Sequence, residues 1–248
     1  MSKVGLFIPC YVDQFHPRVA VATLGILRRL GLDVEYPEEQ TCCGQPMANA
    51  GCTAEAAPLA ERFLRIFGDY DQVVAPSGSC VSMVRNHYRD LLGEREDLRK
   101  VASRTFELCE FLVDVLRVKR VEGEFPHKVG IHQSCHGLRE LRLARSSELV
   151  APAFDKVRTL VGQLQGISLV EVQRDECCGF GGGFSVDQAA VSCSMGRDRL
   201  ADHERAGAEV VTGTDMSCLM HLDGLIRREK RALRVMHVAE LLSEARLS

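Results

Sequence analysis

Thr41-Cys42-Cys43-Gly44 returns as Glu176-Cys177-Cys178-Gly179, 135 residues further along a chain of 248. Reading outward from this pair, the flanking sequence repeats too. Upstream, Val4-Gly5-Leu6-Phe7-Ile8-Pro9-Cys10 is answered by Val129-Gly130-Ile131-His132-Gln133-Ser134-Cys135 at an offset of 125. Downstream, Val73-Val74-Ala75-Pro76-Ser77-Gly78-Ser79-Cys80 is answered by Val210 to Cys218, with the cysteines offset by 138. Glu110-Phe111-Leu112 is answered by Glu240-Leu241-Leu242 at 130. Order is kept while spacing drifts by loop-sized amounts. Such self-similarity predicts two similar folds related by a pseudo-twofold axis.

Within each half, strand and helix patterns alternate. Val4–Ile8, Val73–Ala75, Val129–His132 and Val210–Thr212 are short apolar runs rich in β-branched residues, the signature of buried strands. Helical periodicity is read over Pro17–Leu30, with Val21, Leu24, Leu27 and Leu30 as the apolar face, and over Ala56–Phe67 with Leu59, Phe63 and Phe67. Leu149–Leu164 and Ala189–Ala206 are further helix candidates. Alternation predicts an α/β fold of two half-domains, 1–122 and 123–248, each with a short, mainly parallel sheet. The join falls in the turn-prone Lys119–His127, which holds Gly123 and Pro126. Sites in such sheets form beyond the carboxyl ends of strands, where Cys10, Cys80, Cys135 and Cys218 fall.

The chain holds 11 cysteines. An odd number, in a chain long enough to bury its own core, is a poor disulfide framework and points to metal ligands or redox groups. The repeat separates eight of them: Cys10, Cys42, Cys43 and Cys80 in one half, and Cys135, Cys177, Cys178 and Cys218 in the other. Four soft thiolates suit an iron–sulfur cluster or a zinc ion. Zinc sites favour two to four residues between cysteines, whereas adjacent thiolates serve the separate vertices of a multi-iron cluster. Gly44 and Gly179 allow the chain to turn tightly beside such a group. Cys52, Cys109 and Cys193 lie outside the repeated set and read as small buried hydrophobes or bystanders.

In Gly5-Leu6-Phe7-Ile8-Pro9-Cys10, in the segment Glu38 to Pro46 and in Cys177 to Val186, the chain resembles the cysteine-rich CCG-domain family. That family includes the cysteine-rich component of heterodisulfide reductase and the glycolate oxidase iron–sulfur subunit, and the likeness is strongest to its lactate-utilization branch. The resemblance covers nearly the whole chain. It implies an iron–sulfur subunit, carrying one or two [4Fe–4S] clusters, that acts with two partners in oxidising L-lactate to pyruvate. One partner is a ferredoxin-type iron–sulfur protein and the other a further lactate-utilization subunit; the substrate is a small organic acid. The sequence departs from the five-cysteine pattern of heterodisulfide-reductase-like domains. Ser77 and Asp215 stand where a Cys-x-x-Cys would begin, which favours ordinary four-cysteine sites over disulfide-reducing chemistry.

Other features are weaker signals. Gly179-Phe180-Gly181-Gly182-Gly183 lacks the Lys-Ser/Thr of a phosphate loop. Gly179, Gly181 and Gly182 are instead candidates for a nest of N–H groups facing a cluster or a carboxylate. His132, His136 and His221 lie near second-half cysteines; His136, beside Cys135, is the candidate for proton transfer. Arg139 and Arg142 are candidates for holding a carboxylate. A net charge of −3, with no basic excess, excludes nucleic acid as the evident partner, and Arg227-Arg228-Glu229-Lys230-Arg231 reads as a solvated, mixed-charge face. With neither a signal-peptide pattern nor a span of twenty apolar residues, a cytoplasmic location without a membrane segment is expected. Two other functions fit the cysteines less well: a zinc module scaffolding a complex, and a thiol–disulfide oxidoreductase.

Overall fold

The computed structural model describes residues 3–248. Among them, strands β1 (Lys3–Leu6), β2 (Asp33–Glu35), β3 (Gln72–Ala75) and β4 (Thr105–Glu107) form an all-parallel sheet in the order β2-β1-β3-β4. After β5 (Val121–Glu122) the pattern repeats. Strands β6 (Lys128–Ile131), β7 (Ser168–Val170), β8 (Val210–Gly213) and β9 (Arg234–His237) form a second all-parallel sheet in the order β7-β6-β8-β9. The centre strands β1, β3, β6 and β8 are nearly continuous buried runs, as strands covered on both faces must be. The protein is therefore mixed α/β, with two pseudo-twofold-related half-domains. No described helix is long and apolar enough to cross a membrane.

The halves are laced together. The closing strand of the second half, β10 (Arg246–Leu247), pairs antiparallel with β5, the closing strand of the first. The helix Val238–Leu242 packs on Pro17–Arg29 of the other half, and Leu108–Glu110 packs on Lys156–Val161 in the reciprocal contact. One hydrophobic core consequently runs from Leu6 and Ile26 through Leu108 and Leu112 to Leu160, Val238 and Leu242.

Two helices differ from the sequence expectation. Pro17–Arg29 buries Val19, Ala22, Thr23, Ile26 and Leu27, while Val21 is exposed. The helix is rotated so that it meets both its own sheet and the helix from the other half, and the Thr23 hydroxyl donates to Val19 O at 2.8 Å. The expected helix over Leu149–Leu164 is reduced to Lys156–Val161. Pro152 disfavours helix at and before its position, and Asp155 caps the shorter helix by accepting from Arg158 N at 2.9 Å.

The two halves cap equivalent helices with opposite chemistry. At the end of β4, Glu107 accepts from the N–H groups of Cys109 and Glu110 at 2.7 and 3.1 Å. At the end of β9, His237 Nδ1 accepts from Ala239 N at 3.1 Å. Burial pushes Glu107 up to about 8 and holds His237 down to about 4. Folded Glu107 binds its proton more tightly than the unfolded chain does. Its contribution is complete below the unfolded value of 4.5 and is lost as pH rises through about 8. Folded His237 binds its proton less tightly, so its contribution is present above 6.5 and is lost as pH falls towards about 4. Urea midpoints measured from pH 4 to 9 are expected to form a dome. Glu107→Gln should flatten the alkaline limb and His237→Asn the acid limb, each by about 2–4 kcal/mol. An unchanged dome in both variants would show that neither group governs the pH dependence.

Candidate metal centre

In the first half, Cys10 opens the helix Cys10–Phe15 just beyond β1, and Cys80 lies in the helix Gly78–Ser82 just beyond β3. Cys42 and Cys43 sit on the loop after β2, turned by Gly44 at φ 85°. Cys10 Sγ donates to Cys42 Sγ at 3.7 Å and Cys43 Sγ to Cys80 Sγ at 3.4 Å. Gly44 N donates to Cys42 Sγ at 3.4 Å. The second half repeats the arrangement. Cys135 precedes a π-turn, His136–Glu140, and Cys218 lies in the helix Met216–Glu229. Gly179 N donates to Cys177 Sγ at 3.3 Å and Phe180 N to Cys178 Sγ at 3.5 Å. Gly179 has φ 89°, and a Cβ there would stand 2.6 Å from Ser192 O; glycine is required both by conformation and by space. All eight repeated cysteines line one cavity of about 130 Å³ between the halves.

The sulfurs perturb one another. Cys42 is held down to about 3 by the hydrogen bonds it accepts from Cys10 and Cys43. Cys177 is held down to about 2 by Cys135 and Cys178. Cys218 falls to about 7 through Cys178, with His132 adding to the effect. The donors Cys10, Cys43, Cys135 and Cys178 are pushed up, first by those same hydrogen bonds and then by burial. Each set can thus carry some thiolate only by sharing the protons that remain. A cationic centre would neutralise all four sulfurs together. Four soft donors per half, with backbone N–H groups already aimed at sulfur, fit a thiolate-bound metal centre.

The Cys-Cys-Gly turn, built twice into the same sulfur arrangement, matches a family model. The model for CCG, the cysteine-rich domain, matches residues 4–85 and again 129–223. The chain belongs to the CCG family. Among its relatives is the lactate utilization protein A of Halalkalibacterium halodurans, 40% identical over 97% of this chain and 96% of its own. The protein of that name from Geobacillus thermodenitrificans is 38% identical over 97% and 98%. The one from Bacillus subtilis is 37% identical over 97% and 99%.

Between the CCG halves, Ser77 and Asp215 form a single antiparallel bridge. These equivalent residues bond directly: Ser77 Oγ donates to Asp215 Oδ1 at 2.8 Å. Asp215 also accepts from Ser79 Oγ at 2.7 Å and Ser79 N at 3.0 Å. The positions where some CCG domains carry a further cysteine here join the halves.

The other candidates fall at varied distances from the sulfurs. His136 lines the cavity, with Nε2 3.3 Å from Gln45 Nε2 of the first half and 4.0 Å from Glu140 Oε1. Gly181 and Gly182 also line it, and their carbonyls accept from Phe184 N and Ser185 N. His132 is buried, and a ring nitrogen lies within 4.8 Å of the sulfurs of Cys178 and Cys218. His221 instead faces Ser192 O at 3.3 Å and sits beside the Phe180 ring. Arg139 turns away to Glu148 and Asp175, and Arg142 adopts a left-handed φ of 53° just after the π-turn rather than extending a helix. Cys109 is buried in the core, Cys52 is exposed, and neither they nor Cys193 line the cavity. Gln45, Ser79 and Tyr11 were not legible as site residues, because they carry no motif and reach the cavity only through the fold.

Proposed function

We propose that this chain is the iron–sulfur subunit of a multi-protein system that oxidises L-lactate to pyruvate. The observation that carries the reading is the convergence of two four-cysteine sets on one cavity. The names of its relatives supply the substrate. Cys10, Cys42, Cys43 and Cys80 would hold one [4Fe–4S] cluster, within a half ending at 122. Cys135, Cys177, Cys178 and Cys218 would hold the other, within the half from 123. Such clusters supply one-electron storage at potentials set by burial and by hydrogen bonds to sulfur.

The chain's own groups support that role. Gly44, Gly179 and Phe180 direct N–H groups at sulfur and so stabilise the more negative, reduced state. Gly181 and Gly182 present only backbone at their stretch of the cavity wall. His136, held by Gln45 at the cysteine cavity, would relay one of the two protons that oxidation of a 2-hydroxy acid releases with its two electrons. Electrons leave to a ferredoxin-type partner, and a further lactate-utilization subunit completes the system in the cytoplasm.

The test is iron, acid-labile sulfide and zinc content of protein purified without oxygen, with EPR before and after reduction. About eight irons and eight sulfides per chain, with a reducible signal, are expected. Stoichiometric zinc without sulfide would overturn the reading and leave a structural metal module.

A further inference from the structure

The two halves place the same three positions under β1 and β6, and fill them differently. In the first half Phe7 packs edge to face on Phe63 and Phe67, at 5.0 and 5.6 Å. Phe67 lies against Gly5, where a Cβ would meet its ring at 3.0 Å. In the second half His132 takes the place of Phe7 in the repeat, and His203 lies against Gly130 as Phe67 lies against Gly5. Arg199, one turn before His203, takes the place of Phe63, one turn before Phe67. Three phenyl rings have become two imidazoles and a guanidinium.

The consequence is a second cavity, of about 570 Å³, lined by His132, Arg199 and His203. These residues are 4%, 2% and 0% exposed. Yet His132 Nε2, Arg199 Nε and both ring nitrogens of His203 have no hydrogen-bond partner. Buried polar groups left so are costly, and four together call for a bound group or ordered water to satisfy them. The Arg199 guanidinium is already fixed, donating to Arg174 O and to Asp202 at 2.6 Å each, so its Nε–H is held in place. The acidic groups of the wall have their own partners: Asp155 accepts from Gln133 and Arg158 N, Glu171 from Arg158, Glu176 from Arg174, and Asp175 from Arg139 and Ser147.

We propose that this cavity binds a small 2-hydroxy- or 2-oxo-carboxylate, with Arg199 Nε–H and an imidazole N–H on the carboxylate and the second imidazole on the neighbouring oxygen. His203, held down to about 3 by burial and by its neighbours His132 and Arg199, is neutral and offers one donor and one acceptor. His132 forms the wall shared with Cys178 and Cys218, so the ligand lies one residue from the second sulfur set. In the first half the phenyl rings fill these positions, and the cavity beside the equivalent loop, lined by Glu35, Tyr36, Glu39 and Ile66, reaches none of the three. The choice of this acid class rests on the lactate reading; the anion site itself rests on the cavity.

The test is calorimetric titration of the full chain, purified without oxygen, with L-lactate, pyruvate and the neutral isostere lactamide. Saturable binding of an acid, with lactamide at least about ten-fold weaker, is expected. His203→Phe restores the first half's residue; it should weaken acid binding at least about ten-fold while leaving the thermal midpoint equal or higher, because two orphaned nitrogens are removed. Ala153→Trp, at an exposed rim position, should block entry without touching the core, and decides the matter if His203→Phe fails to fold. No binding of either acid, or unchanged binding in both variants, would overturn the proposal. Iron and sulfide measured on the same samples separate the two readings: a metal-poor chain that binds lactate sinks only the cluster, and a cluster-loaded chain that does not bind sinks only the cavity.

Discussion

Cys80→Ser is expected to remove about four of about eight irons and as many sulfides per chain, Cys218→Ser the other four, and the double variant all of them. Both residues sit on helices anchored just past the central strands β3 and β8, so serine should be accommodated with little change in fold. Cys52→Ser, exposed and away from the cavity, is the control and should lose nothing. The measurement is colorimetric iron and sulfide on protein handled without oxygen, with EPR of the reduced form. The single variants should each keep one cluster signal, and the two signals should differ. The second set has His132 beside it where the first has Phe7, and polar surroundings shift cluster potentials. Because the two sets open into one cavity, a different outcome is informative. Loss of all iron in either single variant would mean a single shared centre in place of two.

Asp215→Ala should give the largest loss of stability of any single substitution at the junction, about 3–5 kcal/mol by urea unfolding. Asp215 is 1% exposed and accepts from Ser77 Oγ and from both the hydroxyl and the amide of Ser79. Truncation strands the Ser79 amide and one of the two hydroxyls, since Ser77 Oγ and Ser79 Oγ lie 3.2 Å apart and can bond each other, and it leaves a void where the halves meet. The junction has no slack to close it. A Cβ at Gly78 would already stand 3.1 Å from Gly137 Cα and 3.2 Å from the Asp215 carboxylate. Asp215→Asn keeps the volume and an acceptor oxygen but loses the charge, and should cost less, about 1–2 kcal/mol. A midpoint for Asp215→Ala within about 0.5 kcal/mol of the parent would show that the shared core and the β5–β10 pair alone hold the halves together.

Local patterns made the repeat, the α/β alternation and the paired cysteine sets legible, because strand runs, Cys-Cys-Gly turns and their order are properties of neighbouring residues. Helix ends and faces were less legible. Val21 and the stretch from Leu149 to Asp155 read as helical core by periodicity alone, but the packing partner that rotates the first lies more than two hundred residues away in Val238–Leu242. Likewise the eight cysteines could be chosen from order, but not that both sets would face one cavity. That depends on how the pseudo-twofold axis sets the carboxyl edges of two sheets against each other.

Two copies of one parallel α/β unit, and the thiols that each copy gathers, follow from residue order alone. The bond between Ser77 and Asp215, 138 residues apart, and the meeting of His132, Arg199 and His203 where Phe7, Phe63 and Phe67 meet in the other half come only from the tertiary structure. Each of those polar residues reads singly as an ordinary surface group. Only folding buries them side by side, where water no longer satisfies their nitrogens and a cavity takes the place of three rings.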